Sequence, residues 1–128
     1  MVNIMYIAID FDGTCVTHEY PNVGKDIHAI PVLKKLIENG HKLILNTMRD
    51  KEELQDAVNW FEENGLELFG VNNNPTQISW TTSPKVYAHL YIDDAALGCP
   101  LLNIPEISNR PFVNWVKLEI VLQQMRII

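Results

Sequence analysis

Cysteine is scarce in this sequence: Cys15 and Cys99 are the two present among 128 residues. They do not have the spacing of a CxxC zinc or redox motif, and two residues cannot form the disulfide framework of a small secreted domain. The scarcity favours reduced thiols in a reducing compartment. We therefore expect a cytoplasmic protein.

Basic residues are also few. Lys and Arg together number 10, against 16 Asp and Glu, which gives a net charge of -6 at pH 7. Sequence-independent binding of nucleic acid requires clustered Lys and Arg, so this composition argues against it. An acidic substrate is still compatible with the composition, because one bound cation can reverse the sign of the local field.

Long hydrophobic runs and long insertions are missing as well. The apolar runs fall well short of the ~20 residues that a membrane helix needs, so we expect no membrane partner. Residues 2–10 lack a basic n-region and run directly into acidic residues, so no signal peptide is expected. One domain accounts for residues 1–128, and no stretch is long enough to build a substantial cap domain.

The chain does contain alternating short apolar strands and amphipathic helices. Asp50 with Glu53 resembles a capping box at the start of one of these helices. The pattern predicts strands at 3–9, 41–47, 66–71 and 88–94, helices at 31–40, 50–65 and 112–125, and an irregular segment at 95–111. This alternation is typical of the α/β class. We expect a single Rossmann-like domain with a mostly parallel sheet, helices on both faces and no substantial cap domain.

Polar side chains lie where three of the predicted strands end. They are Asp10 and Asp12 after the first strand, Thr47 at the end of the second, and Asp93 and Asp94 at the end of the fourth. The carboxyl ends of parallel strands meet at one edge of a sheet, where α/β proteins bind their ligands. Each residue alone would more often be a turn residue. Three polar strand ends together predict a site.

Four sequence motifs strengthen this interpretation. They are DFDGT at 10–14, LILNT at 43–47, Lys85, and YIDD at 91–94. In this order they resemble the haloacid dehalogenase-like superfamily, specifically its phosphatase branch, and they span most of the chain. The dehalogenases themselves lack the second aspartate of the first motif, so Asp12 indicates phosphoryl chemistry.

The resemblance implies a role for each matching residue. Asp10 would be the nucleophile that forms an aspartyl-phosphate. Asp12 would protonate the leaving oxygen and then deprotonate water, for which nearby carboxylates would have to raise its pKa. Thr47 would hydrogen-bond a phosphoryl oxygen, and Lys85 would neutralise charge on the phosphoryl group and the nucleophile.

The resemblance also implies a Mg²⁺ cofactor. Asp10, Asp93 and the backbone carbonyl of Asp12 would bind the ion, because Mg²⁺ prefers hard oxygen ligands. Asp94 would act through water or by positioning Asp93. Ile92 stands where many relatives have glycine, so the division of metal binding between the two adjacent aspartates stays open.

Two further residues lie close to the motifs. Arg49 follows Thr47 by two positions and could bind a second anionic group on the substrate, since a guanidinium suits bidentate phosphate contacts. A solvent-facing charge is an equal alternative. His18, in the loop after the first motif, could touch substrate, although loop histidines usually face solvent. We expect His41 and His89, at the start of strands, to be structural.

These observations predict a Mg²⁺-dependent phosphomonoester hydrolase acting on a small or larger phosphorylated substrate. Two alternatives remain: a phosphotransferase or mutase on the same scaffold, and a non-catalytic module that binds metal or phosphate. The loops at 15–30 and 72–84 are short, so we expect an open site. A bulky substrate or a second copy of the chain in a homo-oligomer would cover it.

Overall fold

Four parallel strands form the central sheet of the computed structural model, which describes residues 3–128; residues 1 and 2, part of the segment assessed for a signal peptide, lie outside it. The strands are β1 (Tyr6–Ile9), β2 (Lys42–Leu45), β3 (Leu68–Val71) and β4 (Leu90–Ile92), in the order β3-β2-β1-β4. The predicted α/β class, with a parallel sheet and no cap domain, is confirmed. The order places β2 and β4 on either side of β1.

The register of the sheet makes three strand ends level. Ile9, the last residue of β1, lies opposite Leu45 of β2 and Ile92 of β4. The ladder continues one residue further, where the Asp10 amide donates to the Ile92 carbonyl at 3.0 Å. The side chains that follow these strands therefore emerge together at one edge of the sheet.

All three helices pack on one face of the sheet, in contrast to the expected helices on both faces. They are α1 (Ala29–Glu38), α2 (Lys51–Glu63) and α3 (Trp115–Gln124). Their buried side chains, such as Leu33 and Phe61, form one cluster with Ile7 and Leu43 of the sheet. Within residues 3–128, no helix is long and apolar enough to cross a membrane.

The opposite face of the sheet is covered by the connection between β3 and β4. Ala8 and Ile44 of this face pack against Val86 in a second, smaller cluster. The connecting segment, 72–89, forms turns and bends and no helix. It contains two prolines among many Asn, Ser and Thr residues, which favour turns over a helix. This composition explains why the layering differs from the prediction.

The C-terminal part of the chain also differs from the prediction. Two short strands, β5 (Leu101–Leu102) and β6 (Phe112–Val113), pair antiparallel within what was expected to be irregular chain and the start of a helix. The helix begins only at Trp115, where the Asn114 side chain caps it by accepting from the Lys117 amide at 3.1 Å. Strands of two residues are too short to show the alternation of apolar and polar residues by which a strand is predicted.

The expected capping box at the start of α2 is wrong. Asp50 occupies the cap position with extended backbone, but its side chain makes no capping hydrogen bond. The side chain is exposed, so water can solvate the carboxylate instead. Glu52 and Glu53 still place negative charge in the first turn, which favours the helix dipole.

Candidate functional site

The DFDGT motif forms a tight loop directly after β1. Phe11 is fully buried and anchors the loop, because its carbonyl accepts from the amides of Thr14 and Cys15 at 3.1 and 2.8 Å. Gly13 adopts a φ of 81°, a left-handed conformation that favours glycine. The anchored turn directs the carboxylates of this loop outward at the edge of the sheet.

Three carboxylates meet at this edge. Asp10, Asp93 and Asp94 each offer an oxygen, and these oxygens lie within 4.8 Å of one another. Thr14, whose exposed fraction is 0%, links the two strands: its hydroxyl donates to Asp10 Oδ2 at 2.8 Å and accepts from the Asp94 amide at 3.0 Å. The Ala95 amide donates to Asp93 Oδ1 at 2.8 Å. We call these three carboxylates the acidic cluster.

Burial and crowding set the charge of the acidic cluster. Burial raises the pKa of Asp10 from 3.8 to about 8, with Asp93 and Asp94 adding to it and the hydrogen bond from Thr14 opposing it. Burial also works to raise the pKa of Asp94, but hydrogen bonds with His18 and Asp10 outweigh it and leave that pKa below its ordinary value. The cluster therefore holds one carboxyl that resists ionisation beside one that ionises readily.

His18 belongs to this site. Its Nε2 lies 2.7 Å from Asp94 Oδ2, and because an ionised carboxylate can only accept, the histidine nitrogen donates. Gly13 makes this contact possible: a Cβ at that position would lie 2.0 Å from His18 Nε2 and 2.5 Å from Asp94 Oδ2. The sequence placed His18 in the right loop, but nothing in it indicated the pairing with Asp94.

Asp12 points away from the acidic cluster and pairs with Arg49. Arg49 Nε donates to Asp12 Oδ2 and Nη2 donates to Asp12 Oδ1, both at 2.8 Å. The neighbour of Asp12 is thus a guanidinium, whereas the sequence led us to expect carboxylates. Arg49 is 3% exposed, so it is not a solvent-facing charge, and its side chain is directed at protein groups and not at an open anion site. Both expectations for Arg49 are corrected.

The two remaining predicted residues differ in their placement. Thr47 lies just after β2; its amide donates to Asn72 Oδ1 at 2.8 Å, and its Oγ1 accepts from the Arg49 amide at 3.1 Å. The hydroxyl proton of Thr47 is left for another acceptor. Lys85 Nζ lies 5.6 Å from the centre of the Tyr91 ring, and it forms no ion pair with any residue in the range 3–128, including the carboxylates of the acidic cluster.

Two hydrogen bonds join the C-terminal segment to the DFDGT loop. The Trp115 indole Nε1 donates to the Thr14 carbonyl at 2.7 Å in a buried hydrogen bond. In β6, the Val113 amide donates to the Gly13 carbonyl at 2.9 Å. The Trp115 bond thus connects the C-terminal segment directly to the site.

The two histidines expected to be structural are confirmed as such. His41 is buried, its Nδ1 accepts from the Met5 amide at 3.0 Å, and its Nε2 lies 2.8 Å from the Ile127 carbonyl. His89 Nδ1 accepts from the Tyr6 amide at 2.9 Å. Both residues precede a strand at the end of the sheet away from the acidic cluster.

Comparison with known proteins gives a match over nearly the whole chain. No protein-family model and no curated protein sequence matches it. A solved structure, described as that of the conserved protein coded by a locus from Bacteroides thetaiotaomicron, is similar, with 35% sequence identity and a TM-score of 0.78. The match covers 96% of this chain and 93% of that chain. The likeness thus includes the sheet, the helices and the C-terminal segment.

Proposed function

Because the chain belongs to the same family as this conserved Bacteroides thetaiotaomicron protein, whose description states no activity, we propose a function from its site: Mg²⁺-dependent hydrolysis of phosphomonoesters through an aspartyl-phosphate. One observation carries the proposal. The DFDGT loop after β1 meets Asp93 and Asp94 after β4 in a single cluster of carboxylates. A nucleophilic carboxylate beside hard oxygen ligands is the arrangement that this chemistry requires.

The acidic cluster fits a hard divalent cation. Asp10, with a pKa of about 8, is costly to ionise where it lies, and a cation between the three carboxylates would remove that cost. The side chains that make up the cluster offer oxygen atoms, which suits Mg²⁺ better than zinc. Asp10, Asp93 and Asp94 would hold the ion. When bound, it would neutralise negative charge that develops on the phosphoryl group.

The residues of the chain would then divide the work. An Asp10 oxygen attacks phosphorus and displaces the leaving oxygen, which takes a proton from Asp12. In the second half, water loses a proton to Asp12 and attacks phosphorus, which frees Asp10 and releases phosphate. The Thr47 hydroxyl would donate to a phosphoryl oxygen, since its proton is not used within the described residues.

One observation favours a second candidate, a module that binds metal or phosphate without turnover. Lys85 Nζ lies over the Tyr91 ring and forms no ion pair with a carboxylate of the acidic cluster. A phosphatase needs positive charge near the transferred group, so catalysis would require Lys85 to swing toward Asp10 when substrate binds. A protein that never makes this movement would bind Mg²⁺ and release no phosphate.

Two residues that are close in sequence to the site residues carry exposed apolar side chains. Met48, next to Thr47, is 98% exposed, and Leu97, just after the acidic cluster, is 106% exposed. Side chains of this kind can contact a bulky substrate or a second copy of the chain. A cytosolic location fits the two free cysteines and is part of the same proposal.

A panel of phosphomonoesters, with and without Mg²⁺, tests the function. We expect phosphate release that chelator abolishes and Mg²⁺ restores. Asp10→Asn should be inactive, because an amide is a poor nucleophile, whereas Asp26→Asn, at an exposed aspartate outside the site, should keep activity. A phosphorylated acceptor in place of free phosphate would indicate a phosphotransferase. Mg²⁺ binding without any turnover across the panel would favour the non-catalytic module.

A further inference from the structure

Every N–H donor of the Arg49 guanidinium is used within the protein. A guanidinium carries five N–H groups. Two of them meet the carboxylate of Asp12, and the others donate to backbone carbonyls of Pro21, Asn22 and Glu53 at 3.3, 2.7 and 3.1 Å. None is left to bind an anion in this arrangement. Arg49 therefore acts on other parts of the protein and not directly on a substrate.

Arg49 also joins three segments of the chain around Asp12. Its guanidinium lies 5.0 Å from the centre of the Phe11 ring and 5.2 Å from that of Tyr20, so it contacts two aromatic rings as well. Through its hydrogen bonds it connects the DFDGT loop, the loop at 17–26 and the first turn of α2. The position of the guanidinium is thus fixed from several sides. Its bidentate pair of hydrogen bonds, which we call the fork, in turn fixes both oxygens of Asp12.

The consequence is a separation of carboxylates. Asp10 and Asp12 are two residues apart, yet only Asp10 contributes to the acidic cluster. We propose that Arg49 is a positioning residue whose bidentate pairing keeps the carboxylate of Asp12 out of the metal site that the acidic cluster would form. This inference rests on the proposed function. The Asp12 side chain is 17% exposed, so a leaving oxygen or water can also reach it.

Removing the fork should have two effects of opposite sign. A released Asp12 can turn toward the cation and add a further negative ligand, which strengthens metal binding. The same movement takes the proton carrier away from the leaving oxygen, which slows turnover. A purely structural ion pair predicts something different: its loss loosens the loop and weakens metal binding and turnover together.

The experiment compares Arg49→Lys and Arg49→Met with the wild-type protein. Lysine keeps the charge but cannot make the bidentate fork, and methionine removes both. Mg²⁺ affinity is measured by titration calorimetry and turnover with a phosphomonoester found active in the panel. We expect Arg49→Met to bind Mg²⁺ about threefold to tenfold more tightly while kcat falls by about 10²-fold or more. Arg49→Lys should change both quantities in the same directions and by less.

Asp12→Asn supplies the matched background. An amide gains little by turning toward a cation. In the Asp12→Asn background, Arg49→Met should therefore increase Mg²⁺ affinity much less than it does in the wild-type protein. It should also lower kcat by no more than about twofold beyond Asp12→Asn alone, since residues that act as a unit are not additive. Removing both partners of the pair also avoids leaving one charge buried alone, which favours a folded double variant.

Several results would overturn the inference. Weaker or unchanged Mg²⁺ binding in the folded Arg49 variants would show that the fork does not hold Asp12 away from the metal. An Arg49→Lys protein that fails to fold would make Arg49 a structural residue. Equal effects of Arg49→Met in the wild-type and Asp12→Asn backgrounds would show that it does not act through Asp12. A wild-type protein that binds no Mg²⁺ would instead remove the proposed function itself.

Discussion

The behaviour of Asp10 is decided by its surroundings. Its pKa of about 8 in the folded protein stands above the 3.8 expected of an unfolded chain. Between these values the unfolded chain loses its proton while the folded protein keeps it, so the unfolded state is increasingly favoured as pH rises. The contribution of Asp10 to stability is therefore most favourable below about pH 4 and is lost by about pH 8.

A first prediction follows for the metal-free protein. Asp10→Asn should remove this loss of stability, and its melting temperature at pH 8 should exceed that of the wild type by several degrees, since about 1 kcal/mol moves Tm by roughly 4 °C for a domain of this size. At pH 4 the two proteins should melt together. Calorimetry with chelator present gives both values. Mg²⁺ should raise the Tm of the wild type at pH 8 and leave Asp10→Asn nearly unchanged; equal responses would remove Asp10 from the metal site.

Gly13 provides a second prediction at this scale. Gly13→Ala should strain a left-handed residue and also push His18 away from Asp94. Gly98→Ala is the matched control, because Gly98 also has a positive φ, of 90°, but no atom lies within 4 Å of an added Cβ. In urea unfolding, Gly13→Ala should cost about 2 kcal/mol more than Gly98→Ala. Only Gly13→Ala should weaken Mg²⁺ binding, and an equal effect of the control would refute the role of the contact.

Among the elements, the β5–β6 pair and the start of α3 hold the site in place. They lie under the DFDGT loop and donate to it from Val113 and from the indole of Trp115. The loop thus depends on hydrogen bonds from a distant segment as well as on its own turn. A change in this support should reach the acidic cluster without touching any carboxylate.

Trp115→Phe tests this support. The substitution keeps an aromatic ring but leaves the buried Thr14 carbonyl without its donor, which should cost about 1–3 kcal/mol in urea unfolding. Thr14 bonds Asp10, so Mg²⁺ affinity should fall as well. Trp80→Phe serves as control, since Trp80 is exposed and its ring packs against Tyr87 without a hydrogen bond to the DFDGT loop. If the control loses as much Mg²⁺ affinity as Trp115→Phe, the effect is not transmitted through Thr14.

The elements that sequence reasoning predicted well are those with a strong local signal. The strands at Tyr6–Ile9 and Lys42–Leu45 are continuous apolar runs buried on both faces, and their parallel pairing follows from the helix between them. The acidic cluster was predictable for the same reason, because Asp10 and Asp93 directly follow paired strands. In these cases the local sequence pattern, and the position of the aspartates directly after a strand, were sufficient for the prediction.

The parts that were missed depend on contacts between distant residues. The partner of Arg49 is Asp12, 37 positions earlier, and the partner of His18 is Asp94, 76 positions later. Side-chain pairing over such separations leaves no local pattern in one sequence. The single-sided layering was missed for a related reason: the order of the strands in the sheet, which decides the face on which each connection lies, depends on pairing between distant segments.

The molecule as a whole leaves its site open. Residues 3–128 contain no cap over the acidic cluster, and the apolar side chains of Met48, next to Thr47, and of Leu97, three residues after Asp94, are exposed. A small substrate would gain little contact from such a surface. A larger one could bury both side chains, which favours binding through the hydrophobic effect.

Substrate size is therefore the fourth prediction. If light scattering shows a monomer, a phosphopeptide should be hydrolysed with a higher kcat/KM than a small sugar phosphate. Met48→Ser with Leu97→Ser should reduce that preference by about tenfold, through KM, since each buried apolar side chain contributes about 1.5–3 kcal/mol at most. A monomer that prefers small sugar phosphates would contradict the expectation of a bulky substrate.

The bond between Trp115 and Thr14 also constrains when the site can be complete during synthesis of the chain. The two residues are separated by 101 positions, so a growing chain carries the aspartates of its first loop long before it has made the indole that steadies them. β4, which supplies Asp93 and Asp94 to the edge of β1, is likewise made after β2 and β3. A nascent chain on the ribosome consequently holds only part of the acidic cluster until β4 and the two aspartates after it are made, and the bond that steadies its first loop forms only after translation has passed Trp115.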